Sequence, residues 1–274
     1  QGGDVMAEWG PMSLIVSAFA GKVPQPDMSE NAGRYAFTVL EKISRLRKAL
    51  SRPWKQVPDT LREPAAFRML QSVMAVGDPD LTPMAAVAGA IADAVADYLA
   101  GRGMTKVIVN NGGDIAIRLM GEESATVGIR EDIRDHDFSR VIRLGSERTS
   151  WGVATSGLGG RSLTRGIASA ATVIARTASA ADAAATAVAN ASFVKDMEVV
   201  QADAESLAQD TDIPGIPVTC QVGPLREETR SLAVEQALSR ARSLMENGAI
   251  LGAFVSVAGL SNMTDSFRKR LIHR

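Results

Sequence analysis

The segment TPMAAVAGAIADAVADYLAGRG, residues 82–103, leads directly into KVIVNN, Gly112-Gly113 and the run DIAIRL, and this order restricts the fold more than any other feature. Thr82 can cap a helix, Pro83 suits its first position, alanine fills its body, and Gly101 and Gly103 stop it. The β-branched run at 106–111 predicts a strand, the glycine pair a turn, and the residues after Asp114 a second strand. Helix, strand, glycine turn and strand in succession predict an α/β protein. The small side chains of 83–100 let another backbone approach closely, within one subunit or across a homo-oligomer.

Elsewhere the pattern predicts a strand at 13–18, helices at 34–50 and 65–75, and short strands at 125–130 and 140–144. Residues 149–166, TSWGVATSGLGGRSLTRG, read as a Ser/Thr/Gly-rich loop, and 179–193 as a second alanine-rich helix. Strands are expected near 197–201, 217–222 and 249–258, with a helix from about 226 to 246. At 274 residues the chain could hold one large core or two modest ones. No Pro/Gly/Ser linker divides it, so a single domain over 1–274 is expected.

Composition excludes several function classes. With 30 Lys and Arg against 31 Asp and Glu there is no electrostatic footprint for nucleic acid or an anionic membrane, so neither is expected as a partner. The single Cys220 and the two histidines, His136 and His273, cannot cage zinc, so any metal should be a hard, oxygen-ligated one. His136 lies in a charged string and reads as solvated; Cys220 lies in an apolar run and reads as a small core residue. Met12–Ala20 is too short to span a bilayer and has no basic segment before it. A cytoplasmic protein is expected, although the start at Gln1 places any native leader outside the chain.

Four clusters could carry chemistry. In NNGGD, residues 110–114, two glycines after a strand remove side-chain bulk beside the Asp114 carboxylate; the same residues also suit a plain hairpin turn. In the 179–193 helix, Asp182, Thr186 and Asn190 recur every four residues and so share one face. A carboxylate and a hydroxyl there suit Mg²⁺ or Ca²⁺, completed by carbonyls, waters and phosphate oxygens, whereas a solvated polar row needs no ligand. Asp93 and Asp97 repeat that spacing and read as an exposed acidic face. Thr155, Ser156, Gly157, Arg161, Ser162 and Arg165 combine hydroxyls, glycine and arginines suited to a phosphate or carboxylate.

Together PMAAVAGAIAD (83–93), VIVNNGGDIAI (107–117), ATSGLGGRSLTRG (154–166) and ADAAATAVANA (181–191) resemble uncharacterised protein family 0280, itself similar to the ApbE family of FAD:protein FMN transferases. The resemblance implies a single α/β (α+β) domain with a mixed sheet and packed Ala-rich helices, holding a flavin nucleotide (FAD or FMN) with Mg²⁺. It makes Asp182 and Thr186 catalytic residues and side-chain metal ligands, and it places Ala92 near the position that gives a backbone carbonyl. Asn111, Gly112, Gly113 and Asp114 become the nucleotide-contacting turn, joined by Thr155, Ser156, Gly157 and Arg161. The implied reaction is cleavage or transfer at the pyrophosphate. The alternatives are a noncatalytic binder of a flavin or small anionic metabolite, and a different enzyme in which Arg161 and Arg165 hold a carboxylated substrate. Three departures stand out: Asp93-Ala94 replaces the transferases' lysine-glycine pair, RSLTRGIASAATV replaces their histidine-containing segment, and Arg161 and Ala168-Ser169-Ala170 replace a histidine and an ADA triplet usual in family 0280.

Overall fold

The computed structural model describes residues 3–58, 60–160 and 162–272; Arg161 and His273, both singled out above, lie outside them. Strands β1 (Val5–Trp9), β2 (Met12–Ala20) and β3 (Val23–Pro24) precede helices α1 (Pro26–Arg45), α2 (Arg47–Leu50), α3 (Pro64–Val76) and α4 (Val87–Ala100). Next come β4 (Lys106–Asn111), β5 (Asp114–Leu119), β6 (Ser124–Ile129), β7 (Arg140–Gly145), β8 (Ser150–Ser156), β9 (Ala170–Ala175) and α5 (Ala178–Ala191). The chain ends with β10 (Val199–Asp203), α6 (Ala204–Leu207), β11 (Pro217–Val222), α7 (Glu227–Glu246), β12 (Gly252–Val257), β13 (Leu260–Met263) and α8 (Asp265–Arg268). These elements gather into two units, one of Gln1–Thr126, Arg143–Ala154 and Ala175–Ala183, the other of Val127–Ile142, Thr155–Ile174 and Ala184–Arg274.

In the first unit the strands run in the order β1-β2-β4-β5-β8, with β3 on β2. Alternation along β4 sends Val107, Val109 and Asn111 inward, and its register sets them opposite Ala18, Val16 and Leu14 of β2. Cross-strand partners share a face, so these residues form one apolar surface. Helix α4 lies on β4 and β5, with α1 beside it. Together Pro83–Ala100 is apolar and long enough to cross a bilayer, yet Ala90, Ile91, Ala92, Val95, Ala96 and Leu99 are buried within the protein, which makes it a core helix. Its α-helical part begins at Val87, after a 3-10 turn at Pro83–Ala86. The expected 34–50 helix starts earlier, with Pro26 in its first turn, and breaks at Leu46, where the backbone amide turns back to Ile43.

In the second unit β9, β12 and β13 pair in that order, and every residue of β9 and β12 is buried. Helix α7 covers β12 and β13. The β10–β11 pair leaves Cys220 exposed, with its thiol against the Val200 carbonyl (3.3 Å). That corrects the core assignment: a two-stranded pair has an outer face, and Cys220 is on it. His136 is exposed, as expected. Residues 149–166 are not all loop, since 150–156 form β8.

The α/β class with packed Ala-rich helices holds. The expected mixed sheet does not appear within either unit, where each described pairing is antiparallel. Hairpins account for β1–β2, β4–β5 and β12–β13, and the helices after β3 return the chain to an antiparallel β4 rather than a parallel one.

Candidate functional site

Strands β4 and β5 close with the pair Asn111–Asp114, leaving Gly112 and Gly113 as a two-residue turn with φ of +67° and +113°. Both angles lie where side chains are disfavoured, which is why the turn is glycine twice. The Gly113 amide donates to Asn110 Oδ1 (2.8 Å), so it is engaged by the turn itself. What the turn offers is room: a Cβ at Gly113 would meet nothing within 4 Å. Asn111 is buried, and its Nδ2 donates to the Ala88 carbonyl (3.1 Å), tying the turn to the start of α4.

The first turn of α4 in turn meets Asp182, whose Oδ2 accepts the Gly89 amide (3.0 Å). Helix first-turn amides lack intrahelical acceptors, and a carboxylate satisfies them and suits the dipole. Along α5 nearly every other residue is buried, while Asp182, Thr186 and Asn190 keep part of their surface. The helix therefore keeps one polar row less deeply buried than the rest of its surface. Burial raises the Asp182 pKa well above the usual carboxylate range; the charge of Asp114 raises it next, the Gly89 amide opposes, and Asp93 adds a smaller upward push. The residue keeps part of its surface, but its carboxyl sits among enough protein atoms that desolvation dominates.

Asp182 thus lies within reach of the Asp114 charge, a repulsion that a divalent cation would relieve. Among the described residues no three His, Cys, Asp or Glu side chains converge on one point, so a cation here would draw on carboxylates, hydroxyl and carbonyl oxygens, water and ligand phosphates. Ala92 is buried one turn further along α4 than Gly89, with its carbonyl in the helical ladder. The raised pKa has a consequence for stability. Between the ordinary carboxylate range and the raised value the folded state binds more protons than the unfolded one, so stability falls as pH rises through that window. Asp182→Asn removes this titration and is expected to flatten that fall, read as melting temperature against pH in chelator. A fall of the same size in the variant would contradict this.

The acidic pair on α4 departs from expectation. Asp93 is fully buried, accepting the Ala178 and Ser179 amides (3.0 and 2.9 Å), the Ser179 hydroxyl (2.8 Å) and Arg118 Nη2 (3.0 Å). Asp97 is exposed, as expected, and accepts Arg118 Nε and Arg68 Nη2, both at 2.8 Å. The exposed acidic face is therefore corrected at Asp93, which joins Asp97, Arg118 and Arg68 in a network that seats the start of α5. One signal was available: like charges four residues apart on a helix repel unless a cation lies between them, and Arg118 is that cation.

The second unit holds the TSG segment. The Thr155 and Thr172 hydroxyls bond each other (2.8 Å), Ser156 is buried, and Gly157 has φ +149°, with Ala168 and Ser169 carbonyls 2.8 Å from where a Cβ would sit. Asn190 Oδ1 accepts the Arg165 amide (2.9 Å), so this member of the polar row anchors a loop. Ser192 does the same, its Oγ accepting the Ile167 and Ala168 amides (2.9 and 2.8 Å).

Comparison with known proteins bears out the resemblance. The family model described as "AbpE bacteria" matches residues 1–263. A UPF0280 protein of Methanopyrus kandleri is 42% identical over 129 residues, 47% of this chain and 50% of its own length. A UPF0280 protein of Methanobrevibacter smithii is 38% identical over 112 residues, 40% of this chain and 46% of its own. The chain thus spans about half the length of the curated relatives it matches. The apo crystal structure of Pseudomonas stutzeri flavinyl transferase ApbE superposes with a TM-score of 0.55 at 14% identity, covering 97% of this chain and 96% of that one. An ApbE protein from Thermotoga maritima gives 0.53 at 13%, covering 98% and 99%. At such identities the likeness is one of fold.

Proposed function

The chain belongs to the family described as "AbpE bacteria", and from that premise we propose that it binds a flavin nucleotide with Mg²⁺ and cleaves or transfers at the pyrophosphate. The observation that carries the reading is the Asp182 carboxylate held on the Gly89 amide at the start of α4, within reach of the Asp114 charge and of a turn with no side-chain bulk. Those residues fit a hard cation: Asp182, with Thr186 one turn along the same helix, would hold it, and Asp114 stands close enough for its charge to be felt. When bound, Mg²⁺ would supply neutralising charge to phosphate oxygens. The chain's own part is positional. The α4 amide at Gly89 orients the Asp182 carboxylate, Asn111 fixes the turn to Ala88, and Gly113 keeps the approach open.

A second reading, a flavin binder without turnover, is favoured by Asp93. It stands where the resemblance puts a lysine, and its oxygens are engaged by α5 and Arg118, so it is no substitute for a reacting cation. Chromatography of FAD incubated with the protein and Mg²⁺ separates the two. Turnover yields FMN and AMP by addition of water across the pyrophosphate, falls without Mg²⁺, and falls on the order of 100-fold or more in Asp182→Ala. Mg²⁺-dependent turnover that survives Asp182→Ala would end the first reading; flavin binding with no product would establish the second.

A further inference from the structure

Within the first unit the starts of α4 and α5 cap one another. Asp182, in the second turn of α5, accepts the Gly89 amide from the first turn of α4 (3.0 Å). Asp93, in the second turn of α4, accepts the Ala178 and Ser179 amides and the Ser179 hydroxyl from the first turn of α5 (3.0, 2.9 and 2.8 Å). Each helix thus gives first-turn donors to the carboxylate carried by the other. The two backbones touch because Gly89 has no side chain: a Cβ there would lie 2.4 Å from the Ala178 carbonyl oxygen. On the other side, Gly152 leaves the same freedom, with a Cβ position 2.0 Å from the Thr177 carbonyl oxygen.

We propose that Asp93 is a positioning residue for the Asp182 site: by gripping the first turn of α5 it sets where the Asp182 carboxylate sits against the start of α4. Asp182 lies three residues past Ser179, about 4.5 Å along the axis at 1.5 Å per residue, within one rigid turn. Whatever fixes 178 and 179 therefore fixes 182. Asp93 is itself fully buried and bonded to Arg118, whose side chain is 6% exposed. Its effect on cation binding rests on the reading of Asp182 as a metal ligand; its effect on the Asp182–Gly89 bond does not.

Asp97 supplies the control, because it shares Arg118 and Arg68 with Asp93 while its carboxylate lies on the exposed side of the network. The experiment measures amide exchange by NMR in cation-free protein and Mg²⁺ affinity by calorimetry, on the wild type, Asp93→Asn, Ser179→Ala and Asp97→Asn. The Gly89 amide is expected to exchange roughly tenfold faster in Asp93→Asn and a few-fold faster in Ser179→Ala, with the Mg²⁺ Kd rising in the same order, as supporting-residue losses do at metal sites. Asp97→Asn should leave both unchanged even where it lowers the melting temperature. If Gly89 protection and the Mg²⁺ Kd stay at wild-type values while only Ala178 and Ser179 exchange faster, Asp93 is a local cap and the proposal is overturned. Should Asp93→Asn fail to fold, Ser179→Ala decides alone. A wild type that takes no Mg²⁺ refutes the cation reading, and Gly89 exchange still decides the positioning.

Discussion

Arg118→Met is expected to lower the free energy of unfolding by about 3 kcal/mol or more, the usual result of removing one partner from a buried ion pair. The Arg118 side chain is 6% exposed and bonds Asp93 at 3.0 Å and Asp97 at 2.8 Å. Without it, fully buried Asp93 keeps its three donors from α5, but its nearest described cation becomes Arg68 at 3.7 Å. Those donors keep the loss from being larger. Urea unfolding measures it, and adding Asp93→Asn to the variant should recover part of the stability, since the stranded charge is then gone. A variant within ~0.5 kcal/mol of the wild type would mean that the network is solvated and contributes no more than a surface pair.

Gly152→Ala is the second large effect. The new Cβ would fall 2.0 Å from the Thr177 carbonyl oxygen, 2.1 Å from its carbon and 2.3 Å from the Ala178 nitrogen. All three atoms are backbone, so no side chain can swing aside; either β8 bulges or the start of α5 moves. A loss of about 3 kcal/mol is expected, at the upper end for overpacking, together with weaker Mg²⁺ binding because Asp182 follows on the displaced helix. Gly113→Ala is the contrasting case. It has an open neighbourhood and a φ of +113°, so its cost is conformational, about 1 kcal/mol. Equal losses for the two variants would show that the slot around α5 is looser than the distances imply.

The contrast between these glycines also marks what could be seen in the sequence. The Gly112-Gly113 turn was legible because the β-branched run before it and the apolar run after it alternate as strands do. Asp182 and Thr186 were legible as one face of an alanine-rich helix. Asn190 belongs to that row by spacing, yet it anchors the Arg165 backbone, since only tertiary structure decides which neighbour a polar group meets. Gly152 gave no local sign, for what it avoids is a backbone distant in the chain, whereas Gly89 lies in the small-residue helix expected to admit another backbone, without a sign of which one. Strand β9, AATVIA, was missed: buried on both faces, it lacks the alternation that marks a half-exposed strand, and it follows a Ser/Thr/Gly-rich stretch. Asp93 was misread for a related reason. A charge in an alanine-rich helix looks solvated until Arg118, 25 residues away on β5, is placed beside it.

The central claim is that the Asp182 carboxylate, beside Asp114, couples a divalent cation to a flavin nucleotide. Quenching of FAD fluorescence, titrated with Mg²⁺ or chelator on the wild type and Asp182→Ala, tests it most directly. The account predicts wild-type affinity at least ~10-fold higher with Mg²⁺, a difference of about 1.4 kcal/mol, and no Mg²⁺ effect in the variant. Affinity for FAD that ignores Mg²⁺, or a Mg²⁺ effect that persists in the variant, would contradict it.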